Sequence, residues 1–310
     1  MELTWDKEEM SKAQKIIVER FAMNSVAGHL SLHSKVDDID TTVRRSRFDF
    51  NDAIVIDREV LSLYEPFSLC NLSKAQVDEF STMHNEGLGQ TQAIATLTRA
   101  ASRLARWHDV LFFRGLVEGN VEGNALKPPL VHMPAVPENP PQSLREAALE
   151  AEKQEDSTPV LVNVPLNEGL VAAVYEAVLR LETRGYFAAY HLVLGETLWR
   201  ELHRPTGGSL VLSRDRIEPT LMGGRFYRTT TLPNDEALLV SLDGPTFDCV
   251  IAGDPTQHPR FEFLRVVEQA NHEELFLFRI RERFAPRVRE NRAIVRLKIH
   301  QSNGTEKRKL

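Results

Sequence analysis

Three glycines spaced four residues apart are the feature of this sequence that most resembles a ligand-binding loop: Gly115, Gly119 and Gly123, within the stretch HDVLFFRGLVEGNVEGNA. A phosphate-binding loop needs glycines that follow a strand and precede a helix, where backbone N–H groups point at the anion. These glycines instead follow a long amphipathic segment, so the negative end of a helix dipole would face the phosphate. The stretch is also too polar for a glycine contact between membrane helices. We therefore predict a structural turn, in which Gly115 adopts the left-handed conformation that ends a helix and the other two let the chain reverse.

The ten histidines and two cysteines form no recognisable metal or nucleophile motif. No H-E-x-x-H pattern occurs, and the segment HEE at 272–274 lacks the second histidine of a metalloprotease. Cys70 and Cys249 have no third or fourth partner, which argues against a zinc site or a disulfide framework and fits a reducing cytoplasm. His108 lies on the inner face of a predicted helix, which favours a core histidine over a ligand.

Carboxylates near turns are the remaining candidates for acid–base chemistry. Asp243, Asp248 and Asp254 lie near one another in the sequence, but aspartates before glycine or proline commonly belong to turns. No G-x-S-x-G element places a serine nucleophile on a sharp turn. We therefore predict no catalytic residue, no cofactor and no metal ligand, and we expect that the protein is not an enzyme.

Composition narrows the classes of partner. The chain of 310 residues has a formal net charge of -6, so it has no general field that would attract nucleic acid. Only the tail around Lys307 and Lys309 is locally basic, and an aromatic content of 7% provides no stacking platform for single strands. The start of the sequence is acidic and polar, unlike a signal peptide, and no apolar run approaches the roughly 20 residues that cross a bilayer. We expect a cytoplasmic protein without membrane or nucleic-acid partners.

Helical periodicity predicts the elements that position these residues. Residues 5–30 are expected to form an amphipathic helix, and Ser73 with Gln76 is a capping-box pattern ahead of another helix. The strongest pattern covers about residues 89–114 and predicts a spine helix about 40 Å long. Its predicted inner face has residues at intervals of three and four: Ile94, Leu97, Ala101, Leu104, His108 and Leu111.

Downstream, the sequence predicts an arm, a connection and then mainly strands. Residues 34–58 alternate as strands do and predict an extended arm or hairpin, whereas the proline-rich residues 127–142 predict a connection between two lobes. Further helices are expected after Ser143 and near Asn167. Strands are expected at 225–231, 237–242, 246–252, 260–268, 275–283 and 292–300. Helices first and mainly antiparallel strands last predict an α+β fold rather than a doubly wound sheet.

In the order of these elements the sequence resembles the encapsulins, bacterial shell proteins of the linocin-type bacteriocin family that share the capsid fold of tailed phages. The resemblance covers about residues 60–125 and 185–298. It rests on the segments LYEPFSL, LTRAASRLARWHDVLFFRGLVEGNVEG, YHLVLGETLWRELHR, GGRFYRTTTL, ALLVSLDGPTFDCVIAGDP and ELFLFRIRERFAPRVRENRAIVRL. None of them is a catalytic signature, so the specificity comes from their number and order.

The resemblance implies an HK97-type phage major capsid fold of the α+β class. Residues 1–34 would be an N-terminal helical arm on the inner wall of a shell, and residues 35–63 an extended loop (E-loop) that overlaps a neighbouring subunit. Residues 64–125 and 236–310 would form a discontinuous peripheral domain that contains the spine helix. Residues 126–235 would form an axial domain at the symmetry axes.

The resemblance also implies a function. In this family many copies close into an icosahedral nanocompartment around a cargo enzyme, so the expected partners are copies of the chain itself and a cargo protein. That cargo would be, for example, a dye-decolourising peroxidase or a ferritin-like protein. Two alternatives stay open: the major capsid protein of a phage or prophage, and a hydrolase or bacteriocin-like activity.

One interaction site is predicted on the N-terminal helix. The apolar side of an amphipathic helix needs a partner, so we predict that Ile16, Ile17 and Phe21 contribute to a cargo-docking groove.

Overall fold

The chain folds into two compact units. The computed structural model describes residues 3–30, 32–37, 42–48, 54–82, 91–115, 131–132, 140–155, 157–187, 189–205, 210–243, 246–268 and 274–300. Unit 1 comprises Met1–Ser143 and Phe247–Arg287, and unit 2 comprises Leu144–Thr246 and Val288–Leu310.

Helices and strands are mixed along the chain, which confirms the α+β class. The α-helices are α1 (Lys7–Asn24), α2 (Val26–Leu30), α3 (Lys74–Thr82), α4 (Gln92–Phe113), α5 (Leu144–Gln154), α6 (Leu166–Thr183), α7 (Glu196–Leu202) and α8 (Ser213–Ile217). The strands are β1 (Leu32–Val36), β2 (Thr42–Phe48), β3 (Ile54–Ser62), β4 (Phe67–Ser73), β5 (Val131–His132), β6 (Val160–Val162), β7 (Tyr190–Leu194), β8 (Phe226–Arg228), β9 (Glu236–Ser241), β10 (Phe247–Ala252), β11 (Arg260–Glu268), β12 (Glu274–Arg281), β13 (Phe284–Val288) and β14 (Ile294–Ile299). Short 3-10 helices occupy Glu218–Leu221, Pro255–Gln257 and Asn291–Ala293.

The N-terminal segment forms two helices that meet at Ser25. Helix α1 begins with a capping box, in which the Asp6 carboxylate accepts the Glu9 N–H at 3.0 Å and the Glu9 carboxylate accepts the Asp6 N–H at 2.7 Å. At Ser25 the backbone is extended, and the Ser25 hydroxyl accepts the N–H of Gly28 at 3.0 Å in the first turn of α2. The prediction of one helix over residues 5–30 is wrong, because this serine caps a second helix.

The spine helix α4 is confirmed close to its predicted bounds. At its start the Thr91 hydroxyl accepts the N–H of Ile94 at 3.1 Å. At its end Gly115 has the predicted left-handed backbone, with a φ of 78°, and its N–H donates to the carbonyl of Val110 at 3.1 Å. The predicted inner face is buried except for the half-buried Ile94: Leu97, Ala101, Leu104, His108 and Leu111.

The core of unit 1 lies between helices and a sheet. Helices α1 and α4 pack against each other and over an antiparallel sheet of strand order β11-β12-β4-β5. Trp5 lies in this core, with ring centroids 4.6 Å from Phe80 and 5.2 Å from Phe278. Its indole N–H donates to the carbonyl of Val77 at 3.1 Å, so the buried polar atom is satisfied.

The predicted arm between α2 and β4 is a hairpin. Strands β2 and β3 pair in antiparallel fashion, from Thr42 opposite Ser62 to Phe48 opposite Ile54. They form a two-stranded sheet of their own, separate from the other sheets of the described residues. A hairpin of this kind is at best marginally stable in isolation, so a further contact surface is needed to stabilise it.

Unit 2 is built on a mixed five-stranded sheet of order β6-β14-β9-β7-β8. Helix α6 packs on it through the predicted apolar face, which is buried: Leu170, Val171, Val174, Val178 and Leu181. On β9 the buried Glu236 accepts from Arg145 of α5 at 2.6 Å and from Arg296 of β14 at 3.0 Å. These charge-assisted hydrogen bonds fasten α5 to the sheet.

The two units divide the chain differently from the predicted domains. The prediction joins residues 236–310 to the spine helix, whereas β9 and β14 pair with each other and belong to unit 2. Both strands are mostly or wholly buried and apolar, so their local pattern does not specify a partner. Within the proline-rich connection, the two residues of β5 pair at the edge of the unit 1 sheet.

Replacing Gly115 with alanine should destabilise unit 1 by roughly 1–2 kcal/mol, because a side chain in the left-handed region is sterically strained. Asparagine tolerates this conformation better, so Gly115→Asn should cost less. The midpoints of urea unfolding of the three purified proteins measure the difference. Identical midpoints for the wild type and the alanine variant would contradict the left-handed assignment.

Candidate functional site

A buried polar cluster lies at the end of the spine helix and is the strongest candidate for chemistry. The His108 Nδ1 lies 2.9 Å from both carboxylate oxygens of Glu282, and each side chain is only 1% exposed. Burial alone would lower the pKa of His108, but the Glu282 carboxylate and the neighbouring Cys249 together outweigh burial and raise this pKa well above its ordinary value. The histidine is therefore a buried cation with one matched anion.

The same cluster contains a thiol. Together with the imidazole and the carboxylate, it gives the three kinds of group found in nucleophilic triads. Cys249 lies close to His108 and is fully buried. Burial raises the pKa of the Cys249 thiol, which favours the protonated form. The protonated thiol is unreactive, because the thiolate is the nucleophile. Phe284 stacks on the imidazole at a centroid distance of 4.1 Å, and Phe21 meets its edge at 5.5 Å. Because these rings close the cluster to any substrate, we interpret it as structural.

Asp109, the next residue of α4, holds the junction between the two N-terminal helices. Its carboxylate accepts from the Ser25 hydroxyl at 3.1 Å, the Val26 N–H at 3.1 Å and the Ala27 N–H at 2.9 Å. The last two N–H groups open α2, where a carboxylate is favoured by the helix dipole. Burial raises the pKa of Asp109 to about 6, although these hydrogen bonds oppose the shift. We call Asp109 and its three donors the junction clamp.

A second anchor fixes the chain just before the hairpin. Strand β1 pairs in parallel with β10, which brings Ser34 opposite Val250. The Ser34 hydroxyl hydrogen-bonds to Asp248, and the guanidinium of Arg287 bonds the same carboxylate, with Nε 2.8 Å from Oδ1. The hairpin therefore leaves unit 1 from a fixed base.

The other aspartates that were candidates for acid–base chemistry have local roles. Asp254 accepts from the N–H and hydroxyl of Thr256 at 2.9 and 2.8 Å, which is a turn contact. Asp243 accepts the N–H of Phe187 at 3.3 Å. Within the described residues, no group of three or more His, Cys, Asp or Glu side chains is placed to hold a metal ion.

The predicted docking residues of the N-terminal helix are mostly inside the protein. Ile17 is 0% and Phe21 6% exposed, and both belong to the core that α1 shares with α4. Ile16 is half-buried and packs against the same core. These side chains therefore do not line an open groove, because the chain itself covers the apolar side of α1. The role of Ile16, Ile17 and Phe21 in cargo docking stays a prediction.

Two of the three glycines spaced four residues apart, Gly119 and Gly123, lie outside the described residues. Gly115 ends the spine helix as predicted. None of the helices in the described parts of the chain combines the length and apolarity that crossing a bilayer requires.

Exposed apolar side chains are concentrated in unit 2, which sequence periodicity alone did not identify. On the outer side of α6, Tyr175 and Leu179 are 50% and 61% exposed, and Phe187 after the helix is 60% exposed. Others in this unit are Leu161, Val164, Leu210, Val211 and Met222. Exposed apolar groups of this size commonly mark contacts with other protein molecules.

Comparison with protein families gives one match. The model of the linocin M18 family, described as encapsulating protein for peroxidase, matches residues 153–257, about one third of the chain. No curated protein sequence matches the chain. The family match confirms the resemblance to the encapsulins over this segment.

Solved structures share the fold at low sequence identity. A virus-like particle from Pyrococcus furiosus is 12% identical, with a TM-score of 0.60 and coverage of 94% of this chain and 99% of that chain. The holo-SrpI encapsulin complex from Synechococcus elongatus PCC 7942 is 10% identical, with a TM-score of 0.50 and coverages of 87% and 85%. The capsid of an empty GTA particle is 17% identical, with a TM-score of 0.50 and coverages of 87% and 95%. The HK97-type capsid fold is therefore confirmed.

Replacing Glu282 with glutamine should lower the free energy of unfolding by about 3 kcal/mol at pH 6, because it leaves a buried imidazolium without its anion. A matched control is Glu262→Gln, which removes a carboxylate that pairs with Arg279 and Arg281 at the partly exposed surface of unit 1. This control should cost less than about 1 kcal/mol. If both variants lose the same free energy of unfolding in thermal-unfolding measurements at matched concentration, the buried pair stabilises the protein no more than the surface pair does.

The contribution of His108 to stability should depend on pH. Its folded-state pKa is raised, so its stabilisation is fully present below the ordinary histidine pKa of about 6.5 and is lost as pH rises through the folded value. We expect the melting temperature of the wild type to exceed that of His108→Gln by the largest amount at pH 6 and by less at pH 9, since glutamine does not titrate. The measurement is the difference between the two melting temperatures across this range. A difference that grows with pH would contradict the charged state assigned to His108.

Proposed function

We propose that this chain is the subunit of an encapsulin nanocompartment, in which many copies assemble into a closed icosahedral shell around a cargo protein. The observation that carries the proposal is a capsid fold that extends over nearly the whole chain. A family match over residues 153–257, most of which belong to unit 2, supports an encapsulin over a phage or prophage capsid protein. In this role the protein supplies walls and pores, and the enclosed protein supplies the chemistry.

The free hairpin is the second support for self-assembly. Strands β2 and β3 leave unit 1 from the Ser34–Asp248–Arg287 anchor and pair only with each other among the described strands. In a shell, this hairpin would be the extended loop that lies on a neighbouring subunit, which would supply the missing contact surface. Its fixed base would set the direction in which it extends.

The two units would take the roles of the capsid domains. Unit 1, with the spine helix, would be the peripheral domain, and unit 2 would be the axial domain at the symmetry axes. The exposed apolar residues of unit 2, such as Tyr175, Leu179 and Phe187, would then meet other copies around an axis. The N-terminal helix α1 would face the interior, where its outer side would be available to cargo.

The cargo would be an enzyme, and the family description makes a peroxidase the first candidate. A ferritin-like protein is the second. The compartment would lie in the cytoplasm. The sealed Cys249, His108 and Glu282 cluster, in which none of the three side chains is accessible, argues against the hydrolase alternative.

Size-exclusion chromatography with negative-stain microscopy should reveal closed particles of uniform diameter. A monomer or small dimer at micromolar concentration would overturn the proposal. Particles that contain long DNA instead of a companion protein would favour the phage capsid alternative.

Shortening the hairpin should separate folding from assembly. Deleting residues 46–56 and closing the gap with glycines removes the outer part of β2 and β3. The pairing of Thr42 with Ser62 at the base of the hairpin is kept. We expect a folded subunit, with a far-ultraviolet circular dichroism spectrum close to that of the wild type, that no longer forms closed particles. Normal particles from this variant would exclude the hairpin as an intersubunit contact.

A further inference from the structure

The junction clamp attaches the bend between the two N-terminal helices to the spine helix. The Asp109 carboxylate of α4 accepts hydrogen bonds from three donors at this bend: Ser25, Val26 and Ala27. Helix α2 ends at Leu30, and β1, which leads to the hairpin, begins two residues later. The clamp therefore holds the segment that connects α1 to the base of the hairpin.

Asp109 is a buried carboxylate without a cation of its own. The residue is 4% exposed, its three donors are neutral, and no arginine or lysine in the described part of the chain pairs with it. The adjacent His108 is already matched by Glu282 at 2.9 Å. When all three groups are ionised, one cation stands against two anions. An excess charge away from water is costly, so this site has a physical reason to take up a proton.

Other charged groups at this end of the spine helix do not supply the missing cation. Arg287 of β13 pairs with Asp248 of β10. Arg20 of α1 and His29 of α2 are exposed. Arg106, three residues before Asp109 on α4, is half-buried and makes no ion pair with it in the described structure. The excess negative charge therefore stays on the clamp.

Two further histidines lie near the same cluster. Burial lowers the pKa of His33 on β1, and the charges of His108 and of His258, which precedes β11, add to this effect against the attraction of Glu282. Protonation of His33 would therefore act against the folded position of β1, which is the opposite of the effect of a proton on Asp109. The two contributions are separable, because His33→Gln removes one of them.

We propose that the junction clamp is a proton-controlled latch, which holds the bend between α1 and α2 more tightly in mild acid than at neutral pH. A proton from solvent fits on Oδ2 of Asp109, which accepts only the Val26 N–H. Oδ1 then keeps its hydrogen bonds from Ser25 and Ala27, and the buried charge is gone. Ionisation favours the open clamp instead, because water can then solvate the carboxylate.

The pKa of Asp109 gives the direction and the size of the effect. Burial raises this pKa to about 6, whereas an exposed aspartate has a pKa of about 3.9. The closed clamp therefore binds a proton more strongly than the open clamp, so a falling pH favours the closed form. From pH 7.5 to pH 5 the equilibrium constant for opening should decrease about tenfold.

Amide hydrogen exchange of the full-length chain tests the latch. The N–H groups of Val26 and Ala27 are bonded to Asp109, so their exchange requires that the clamp opens. Their exchange rates at pH 5, 6 and 7.5 are divided by the rates of an unstructured peptide at the same pH. We expect protection of these two amides to be about tenfold higher at pH 5 than at pH 7.5. Amides of residues 12–18, inside α1, should change less and are the internal reference.

Replacing Asp109 with asparagine should remove the pH dependence, because the amide does not titrate. A matched control is Asp254→Asn, since Asp254 also accepts one N–H and one hydroxyl, both from Thr256, at a turn. This control and His33→Gln should keep the rise in protection of the Val26 and Ala27 amides in acid.

A second variant keeps the charge of Asp109. Ser25→Ala removes one hydrogen bond that lowers the pKa of this carboxyl, so the midpoint of the change in protection should move to higher pH. Circular dichroism establishes that each variant is folded, and Ser25→Ala decides the matter if Asp109→Asn does not fold.

Three results would overturn the inference. Protection in the wild type could be independent of pH or fall in acid, the pH dependence could persist in a folded Asp109→Asn variant, or the midpoint could stay unchanged in Ser25→Ala. The junction clamp lies within one subunit, so these results are distinguishable from a failure to assemble into a shell.

Discussion

Unit 1 depends on a buried ion pair between the spine helix and the short link that joins β12 to β13. Charges are costly to remove from water, so His108 and Glu282 are tolerated only while each satisfies the other at 2.9 Å. Strand β12 ends at Arg281, immediately before Glu282, and Phe284 of β13 stacks on the imidazole. A slip of the spine helix by one residue would separate the pair and expose an uncompensated charge to the core. The pair therefore sets the register between α4 and the C-terminal strands, where apolar contacts alone would permit sliding.

The spine helix serves different contacts on different sides. One side supplies the core through small and aliphatic residues, and its last turns supply His108 and the junction clamp of Asp109. Because the ion pair and the clamp fix the helix about its own axis, they also fix which side of α4 faces away from the core.

The elements that sequence reasoning predicted correctly are those specified by neighbours along the chain. The capping box of Ser73 and Gln76 is present, with the Gln76 N–H 3.3 Å from the serine hydroxyl and the Ser73 N–H 2.9 Å from the glutamine oxygen. Gly115 is another such case. The break at Ser25 was missed because part of its cause, Asp109, is 84 residues away. The parallel pairing of β1 with β10 and the place of β14 in unit 2 were missed for the same reason, since strand partners far apart in sequence leave no local signal.

The interaction site predicted on α1 shows the same limit of local sequence patterns. Apolar periodicity in α1 correctly predicted that Ile17 and Phe21 need a partner, but periodicity does not distinguish a partner in the same chain from one in another molecule. The core that α1 shares with α4 supplies that partner for Ile17 and Phe21. Burial, which a local sequence pattern does not show, therefore decides which apolar faces stay available for contacts with other molecules.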